Sequence, residues 1–581
     1  MADRLPMVGW YDPGQLARTA VEVLVSTMFG RHADHRVLEA LGRQDFKPHD
    51  YTKHADGRSR RSIWVDYVGD VGDGWNSAYA VAYALAQPTL PLTTGGQTIQ
   101  APRGDILVFG GDQVYPTASN AEYRRRLLAP YETALRRTSE PHPDAFAIPG
   151  NHDWYDSLVS FTRQFCSRRW LGGWQTRQTC SYFALKLPHG WWLLGTDVQL
   201  GSDVDAAQVE FFRRVEGQMM PEDRVILCHG EPHWITSAAY EKWDPEASER
   251  NLVYLEEKVL GGRVRVFVAG DLHHYRRHAA PDGTQKITCG GGGAFLHPTH
   301  GPDVETIPEH GLDGQVRRTF RLVPGSSYPS WWRSWWLTWR NLAFPVLNPQ
   351  LAVFTAAIYV LLGWAIIGPI EGFGGFTLAD AVREIGGELS RRVGMSLVLV
   401  GLVAAVILFT DTHSKAQRIV GGGLHGLAHL GAILVAGWAG ARMVEAWWPG
   451  VPYGWIGVLA GLAIGGAVVA PVILGLYLLV SLNLLRRHGN EAFSSLRIQD
   501  WKSFLRLHID EAGVLTIHPI GIRRVPRRWQ AAGDPGGLDT SELVPDDSRW
   551  TPPALIEPPI PMTRGETPAE ATRRPAAGTP E

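Results

Sequence analysis

Cysteine is scarce in this chain: Cys166, Cys180, Cys228 and Cys289 are the only four in 581 residues. No two are spaced as Cys-x-x-Cys, which argues against a zinc knuckle or a thioredoxin-type redox pair, and such scarcity suits a reducing compartment. Net charge is also nearly absent. Lys and Arg number 56 against 58 Asp and Glu, so no bulk attraction to polyanions follows and no nucleic-acid partner is expected. The N-terminus has no basic segment leading into a long apolar core. Its apolar patch over residues 21–29 is interrupted by Glu22 and is too short to span a bilayer. No signal peptide is therefore expected, and the first half is expected to stay in the cytoplasm. The glycine run Gly290–Gly293, after Cys289 and ahead of His297 and His300, has no Lys-Ser or Lys-Thr behind it, which excludes a P-loop. Such a run permits close approach of a ligand to the backbone, or else makes a tight turn.

What is present is distributed unevenly. Long apolar runs cluster in the second half, at about 351–369, 395–409, 424–441 and 455–485. Each approaches the length that crosses roughly 30 Å of hydrocarbon, so residues 350–487 are expected to form a transmembrane region of about four helices. Pro471 allows a kink or an extension in the last one. Basic residues flank the runs at Arg333, Arg340, Lys415, Arg418, Arg486 and Arg487, which places both ends of the region in the cytoplasm of a multi-pass membrane protein. Arg383, Arg391 and Arg392 fit that orientation poorly. Trp331, Trp332, Trp335, Trp336 and Trp339 precede the first run at helical spacing, so residues 326–349 read as an interfacial helix on a lipid bilayer. Residues 1–60 read as an N-terminal helical extension, and residues 530–581 as a disordered Pro-rich tail.

The first half alternates β-branched apolar runs with helical patterns, which is an α/β arrangement. Five short motifs sit at the ends of its expected strands. They are Gly69-Asp70-Val71-Gly72, Gly111-Asp112-Gln113-Val114-Tyr115, Gly150-Asn151-His152-Asp153, a run ending Cys228-His229, and Gly270-Asp271-Leu272-His273. A Gly-Asp pair alone marks only a turn. Together the motifs supply carboxylates, an amide, imidazoles and a phenol, a set suited to two first-row metal ions rather than one structural zinc.

In order and chemistry these motifs resemble the calcineurin-like metallophosphoesterase superfamily, and their Gly-Asp-x-Gly and Gly-Asp-x-x-Tyr forms are similar to purple acid phosphatases. The resemblance covers roughly residues 60–300. It implies a metallophosphoesterase domain at 61–325, built as a four-layer α-β-β-α sandwich, beside the all-α transmembrane bundle. It further implies a metal-dependent phosphoric ester hydrolase with two metal ions, of Fe, Mn or Zn. Asp70, Tyr115 and His273 would bind the first ion, Asp112 would bridge both, and Asn151 and His229 would bind the second. His152 would stand beside the phosphate, with Asp153 orienting it. Two departures matter. Gly72 stands where the superfamily usually has a histidine, which makes Tyr115 a candidate replacement ligand, or else a residue that packs nearby. Asp271 stands where a histidine is usual; it either binds the second ion or leaves that site weaker. Asp66 and Asp73 flank the first motif as candidates for holding its ligands.

The reaction implied is hydrolysis of a phosphate mono- or diester by attack of a metal-held hydroxide. Asn151, His233 and His274 are candidate substrate contacts, as is Arg276. Two other readings stay open: a non-catalytic phosphate- or metal-binding membrane sensor or scaffold, and a transporter with a regulatory phosphatase-like domain, for which His425 and His429 inside an apolar run are the hook. Residues 501–522 alternate as a hairpin around Glu511-Ala512-Gly513. That hairpin, within 488–529, either rejoins the catalytic sandwich or forms a small separate domain.

Overall fold

The computed structural model describes residues 4–29, 47–137, 142–198, 204–239, 247–301, 304–410, 415–449, 454–533 and 541–562. After an N-terminal helix α1 (Pro13–Phe29), the chain builds two sheets, each of nine strands among the described residues. At the centre of the first, β1 (Ile63–Val68), β2 (Ile106–Gly110) and β3 (Asp144–Ile148) run parallel. At the centre of the second, β4 (Arg224–His229), β5 (Val264–Ala269) and β6 (Gln285–Cys289) do the same.

Strand alternation explains the layering. Ile63, Val65 and Tyr67 of β1 and Ile106 and Val108 of β2 point between the sheets, where they meet Ile226 and Cys228 of β4 and Val266 and Val268 of β5. The intervening residues point outward. Leu107 and Phe109 pack with Trp75 and Tyr79 of helix α2 (Trp75–Ala86). Val225 and Leu227 pack with Phe211, Phe212 and Val215 of helix α3 (Ala206–Glu216). Both faces of each sheet are covered, which is why these strands read as nearly unbroken apolar runs. The result is a mixed α/β structure with helix, sheet, sheet and helix in succession.

The second half is helical. Helix α4 (Trp331–Thr338) leads through short turns into α5 (Pro349–Ile367). Next come α6 (Leu378–Arg391) and α7 (Val393–Phe409), bent by 106° to each other, then α8 (Lys415–Trp447) and α9 (Gly454–Leu485). By length and composition α5, α8 and α9 are long and apolar enough to cross a membrane, and the α6–α7 pair passes only as one bent unit. Small residues set the closest packing. A Cβ on Gly440 would lie 2.0 Å from the Gly457 carbonyl oxygen, so α8 and α9 touch backbone to backbone. His425 and His429 bond to each other (3.0 Å), and His429 bonds to Tyr359 (2.8 Å), so the pair is satisfied inside the bundle.

The hairpin β7 (Lys502–Ile509) and β8 (Leu515–Ile522) pairs edge-on with β1, from Leu505 opposite Tyr67 to Ile509 opposite Ile63. Arg506 reaches through this pairing to both oxygens of Asp66 at 2.7 and 3.0 Å. The expected disordered tail is corrected over residues 541–562. Strands Ala554–Leu555 and Ile560–Met562 pair with β8, and Glu557 forms an ion pair with Arg277. The proline-rich composition hid an apolar alternation, Ile560 and Met562, that completes the inter-sheet core. The rest of the expected tail, 563–581, lies outside the described residues.

Candidate active site

The five motif loops meet because their glycines let backbones touch. A Cβ on Gly111 would sit 3.3 Å from the Gly150 Cα and 3.4 Å from the Gly230 Cα, and one on Gly69 would sit 3.2 Å from the Gly270 Cα. The run Gly290–Gly293 belongs to the same packing: a Cβ on Gly290 would lie 2.2 Å from Asp70 Oδ2, and one on Gly293 1.8 Å from the Val71 carbonyl oxygen. That run is a backbone-to-backbone seat for the Asp70 loop.

Asp70, Asp112 and Asp271 follow β1, β2 and β5, and all three have left-handed backbones, with φ of 58°, 50° and 64°. They are the only aspartates with positive φ among the described residues. Such a conformation is costly for a residue with a Cβ and persists where surrounding structure enforces it, commonly at functional sites.

The side chains of Asp70, Asp112 and His273 converge on one oxygen. The Tyr115 hydroxyl lies 3.1 Å from Asp70 Oδ1, 3.1 Å from Asp112 Oδ2 and 2.9 Å from His273 Nε2. His273 Nδ1 donates to the Phe295 carbonyl oxygen at 2.8 Å, so Nε2 presents a lone pair. Three acceptors thus face a hydroxyl with one proton to give. Asp70 Oδ2, also buried, has no partner. Burial first, then Asp112 and Asp271, holds the Asp70 carboxyl well above the usual range. Burial likewise raises Asp112, and burial with Asp112 beside it raises Asp271 to about 7. Tyr115 is raised well above a free phenol by burial and by Asp112. Crowded, under-satisfied carboxylates of this kind are what a bound cation offsets, so the donor set fits hard or borderline metal ions. Among the described residues no three His, Cys, Asp or Glu side chains already close on a common point as ligands. The convergence is on the phenol oxygen, which such a grouping leaves out.

Gly72 explains why a tyrosine is there. A Cβ on Gly72 would meet the Gln113 carbonyl oxygen at 2.0 Å, so no side chain fits, while the Tyr115 N–H donates to the Gly72 carbonyl oxygen at 2.9 Å. The loop that excludes a histidine at 72 also carries the phenol.

The remaining candidates fall into two groups. His229 Nδ1 lies 2.9 Å from Thr196 Oγ1, which itself donates to the Cys228 carbonyl oxygen, so Nδ1 carries the proton and Nε2 is left as a ligand atom. Burial pushes His229 down to about 3 and His233 to about 4, which keeps both neutral. Their rings are 6.5 Å apart, and His233 Nε2 is buried without a partner. Asn151 begins the helix Asn151–Trp154, with its amide nitrogen 3.2 Å from the Tyr155 hydroxyl. His152 donates its backbone N–H to Asp112 Oδ1 at 3.0 Å, and its ring packs 4.5 Å from that of Tyr115. His274 is buried, and that burial, with Arg276 and His297 beside it, holds its imidazole well below the usual range.

Asp153 differs from expectation. His152 Nδ1 bonds to the Pro116 carbonyl oxygen at 2.5 Å, and Asp153 does not orient it. Asp153 instead accepts from Gly150 N (2.9 Å), Gln113 N (3.2 Å) and the Tyr123 hydroxyl (2.6 Å), tying the second and third motif loops together. Asp66 and Asp73 hold strands and loops: Asp66 takes Arg506, and Asp73 accepts from Val8 N (2.7 Å) and Phe295 N (3.1 Å).

Sequence reasoning missed residues 5–12, assigned to a helical extension. Met7 and Val8 are buried, Val8 packs with Tyr115 and Ala294, and Trp10 lies edge-on to Tyr115, His152 and Phe295. Nothing local marks them; the short apolar stretch around Trp10-Tyr11 is the only trace.

Residues 63–275 match the family described as calcineurin-like phosphoesterase. Among solved structures, the purple acid phosphatase from yellow lupin (Lupinus luteus) seeds aligns at 15% identity and a TM-score of 0.28, over 44% of this chain. The aligned part spans about half of that phosphatase, 53% of its chain. No curated protein matches. On the family match and the order of its motifs, this chain carries a calcineurin-like phosphoesterase domain over residues 63–275.

Proposed function

We propose that the chain is a membrane-anchored, binuclear-metal phosphoesterase that hydrolyses a phosphate mono- or diester. The observation that carries the catalytic part is the convergence of Asp70, Asp112 and His273 on the Tyr115 hydroxyl, on backbone held left-handed at Asp70 and Asp112. In this reading Asp70, Tyr115 and His273 would hold one ion, Asn151, His229 and Asp271 would hold the other, and Asp112 would serve both. Two such ions, Fe, Mn or Zn, would neutralise the phosphate and lower the pKa of an attacking water. The chain's own residues do the rest. A carbonyl can only accept, so Nδ1 of His152 carries the proton and Nε2 is left to exchange one with the leaving oxygen. His233, neutral and with Nε2 unpartnered, is placed to contact the phosphate.

Membrane anchoring rests on two observations. In α4 the hydroxyl residues Ser334 and Thr338 are buried and the tryptophans are not. Ser334 and Thr338 bond into the 299–300 loop, while Trp332 and Trp336 are 68% and 62% exposed. That inversion suits a bilayer interface. The other observation is parity. β1 and β7, on either side of the helical half, pair in one sheet. A chain that starts and finishes on one side of a bilayer crosses it an even number of times. Helices α5, α8 and α9 make three crossings, so α7 makes the fourth and α6 lies along the far surface, at the 106° bend. The basic flanks then put the phosphoesterase domain on the cytoplasmic side.

The test uses full-length protein in detergent, loaded with metal and assayed on an aryl phosphate. Asp112→Ala and Asn151→Ala should each lose bound metal and lower hydrolysis by about 100-fold or more, beyond the 10–100-fold typical of losing a ligand's outer partner. Undiminished hydrolysis in both variants would sink the assignment. Metal binding without hydrolysis in the wild type would favour the sensor reading.

A further inference from the structure

We propose that Trp10, from the N-terminal strap outside the matched domain, is a substrate-binding residue whose indole N–H donates to a non-bridging oxygen of the phosphate. The inference rests on the phosphoesterase reading above for the identity of the ligand and adds a donor that the metal motifs do not contain.

The strap is ordered on both sides of Trp10. Leu5 O accepts from Trp75 N at 2.9 Å, and Val8 N donates to Asp73 Oδ1 at 2.7 Å. The other oxygen of that carboxylate accepts from Phe295 N at 3.1 Å, so one buried aspartate ties the strap to the loop that orients His273. Beyond Trp10, the Tyr11 hydroxyl donates to the Glu491 carbonyl oxygen at 3.1 Å, its ring packs 4.9 Å from Phe344, and Asp12 Oδ1 accepts from Gln15 N at 3.0 Å to start α1. Residues held this closely lose little further freedom when a ligand arrives.

Trp10 is then held against Tyr115 and His152, the neighbours of the aspartate cluster. Its ring meets Tyr115 at 6.4 Å, His152 at 6.0 Å and Phe295 at 5.9 Å, each edge to face, and Phe295 in turn lies 4.9 Å from His273. The ring therefore touches the residue assigned to the leaving group and Tyr115, assigned to the first metal, and reaches His273 only through Phe295. Its Nε1 is buried and has no hydrogen-bond partner. A buried indole N–H normally finds an acceptor, and leaving it without one is costly. Trp75 and Trp234 share that condition, but they pack on Tyr79 and on His229 with Phe267, away from His152 and Tyr115. Around Trp10 the apolar neighbours are the rings of Tyr115, His152 and Phe295 and aliphatic side chains such as Val8 and Ala294, which offer no strong acceptor. A phosphate lodged between His152 and the cluster brings one, with full negative charge. A neutral donor suits this place because it adds no cation to compete with the metals and no titration to complicate His152.

The test is Trp10→Phe in the full chain in detergent, which keeps an aromatic ring and removes the N–H. Inorganic phosphate is titrated calorimetrically into metal-loaded protein, with metal content and melting temperature measured alongside. The expected result is phosphate affinity weakened by at least about tenfold, in the range of a hydrogen bond to a charged group, with metal content and melting temperature unchanged. Affinity within twofold of wild type would overturn the inference. So would a loss of metal or of melting temperature equal to that of Trp10→Ala, because the residue would then be packing only. A wild type that binds phosphate and hydrolyses no ester would defeat the esterase reading and leave the role of Trp10 standing. A wild type that hydrolyses ester with kcat/KM unchanged in Trp10→Phe would defeat Trp10 alone.

Discussion

Gly72 is the residue at which this site parts from the usual pattern, and packing gives the reason. With the Gln113 carbonyl oxygen 2.0 Å from where a Cβ would stand, a histidine cannot be accommodated, and the phenol of Tyr115 reaches Asp70 from the neighbouring loop. Gly72→His is therefore expected to destabilise rather than to restore a ligand. Overpacking against backbone costs about 3 kcal/mol, which lowers the melting temperature by about 6 °C or more in a domain of this size. Thermal unfolding followed by tryptophan fluorescence checks this. A variant with unchanged melting temperature and raised metal content would show that the 113–114 backbone yields. Much of the site was legible at this scale, because Gly-Asp and Gly-Asn pairs recur where strands end. The partner of His152 was not. Asp153 is its sequence neighbour, yet the Pro116 carbonyl, 36 residues away, takes the Nδ1 proton.

Among the elements, the hairpin β7–β8 matters most. It is separated from β1 by more than 400 residues, yet it supplies the strand that closes one edge of the parallel core. Arg506 is fully buried and holds Asp66 with two bonds. Breaking a buried pair from one side leaves an uncompensated charge, which costs about 3–5 kcal/mol, whereas replacing both partners costs much less. Arg506→Ala should thus lower the urea midpoint of the phosphoesterase domain strongly, and Asp66→Asn combined with Arg506→Met should recover most of the loss. Equal losses in the single and the double variant would mean that packing, not charge pairing, joins the hairpin to β1. Alternation announced the hairpin from sequence. Its docking site was left open there, because a two-faced strand can pair wherever an edge is free.

Across the whole molecule, the helical half presents large apolar side chains outward. Leu361, Leu397, Leu408 and Leu424 are each at least 65% exposed, and the Trp face of α4 continues the same surface. Exposed apolar area on that scale marks an interaction surface, and the four crossings proposed above would cover it with lipid. Membranes from cells expressing the full chain, washed with alkaline carbonate, are expected to retain it in the pellet. Release into the supernatant would mean that the apolar helices are covered by protein instead. The same arrangement brings the site close to the bundle, since Met7, Phe295 and Leu296 share one apolar cluster with Phe344, Leu351, Leu478 and Leu482.

The sequence by itself determined the chemistry: which residue types stand at the strand ends, that the chain splits into an α/β half and an apolar helical half, and that glycine marks each motif. These are local properties, set by periodicity and by turns. Only the tertiary structure decided what depends on contacts between distant segments. It joined the 502–522 hairpin and the 554–562 strands to the first sheet, took Asp153 away from His152, and brought Trp10 to the site from beyond the matched domain. Periodicity records which face of a segment is buried; the segment that buries it is chosen by three-dimensional fit.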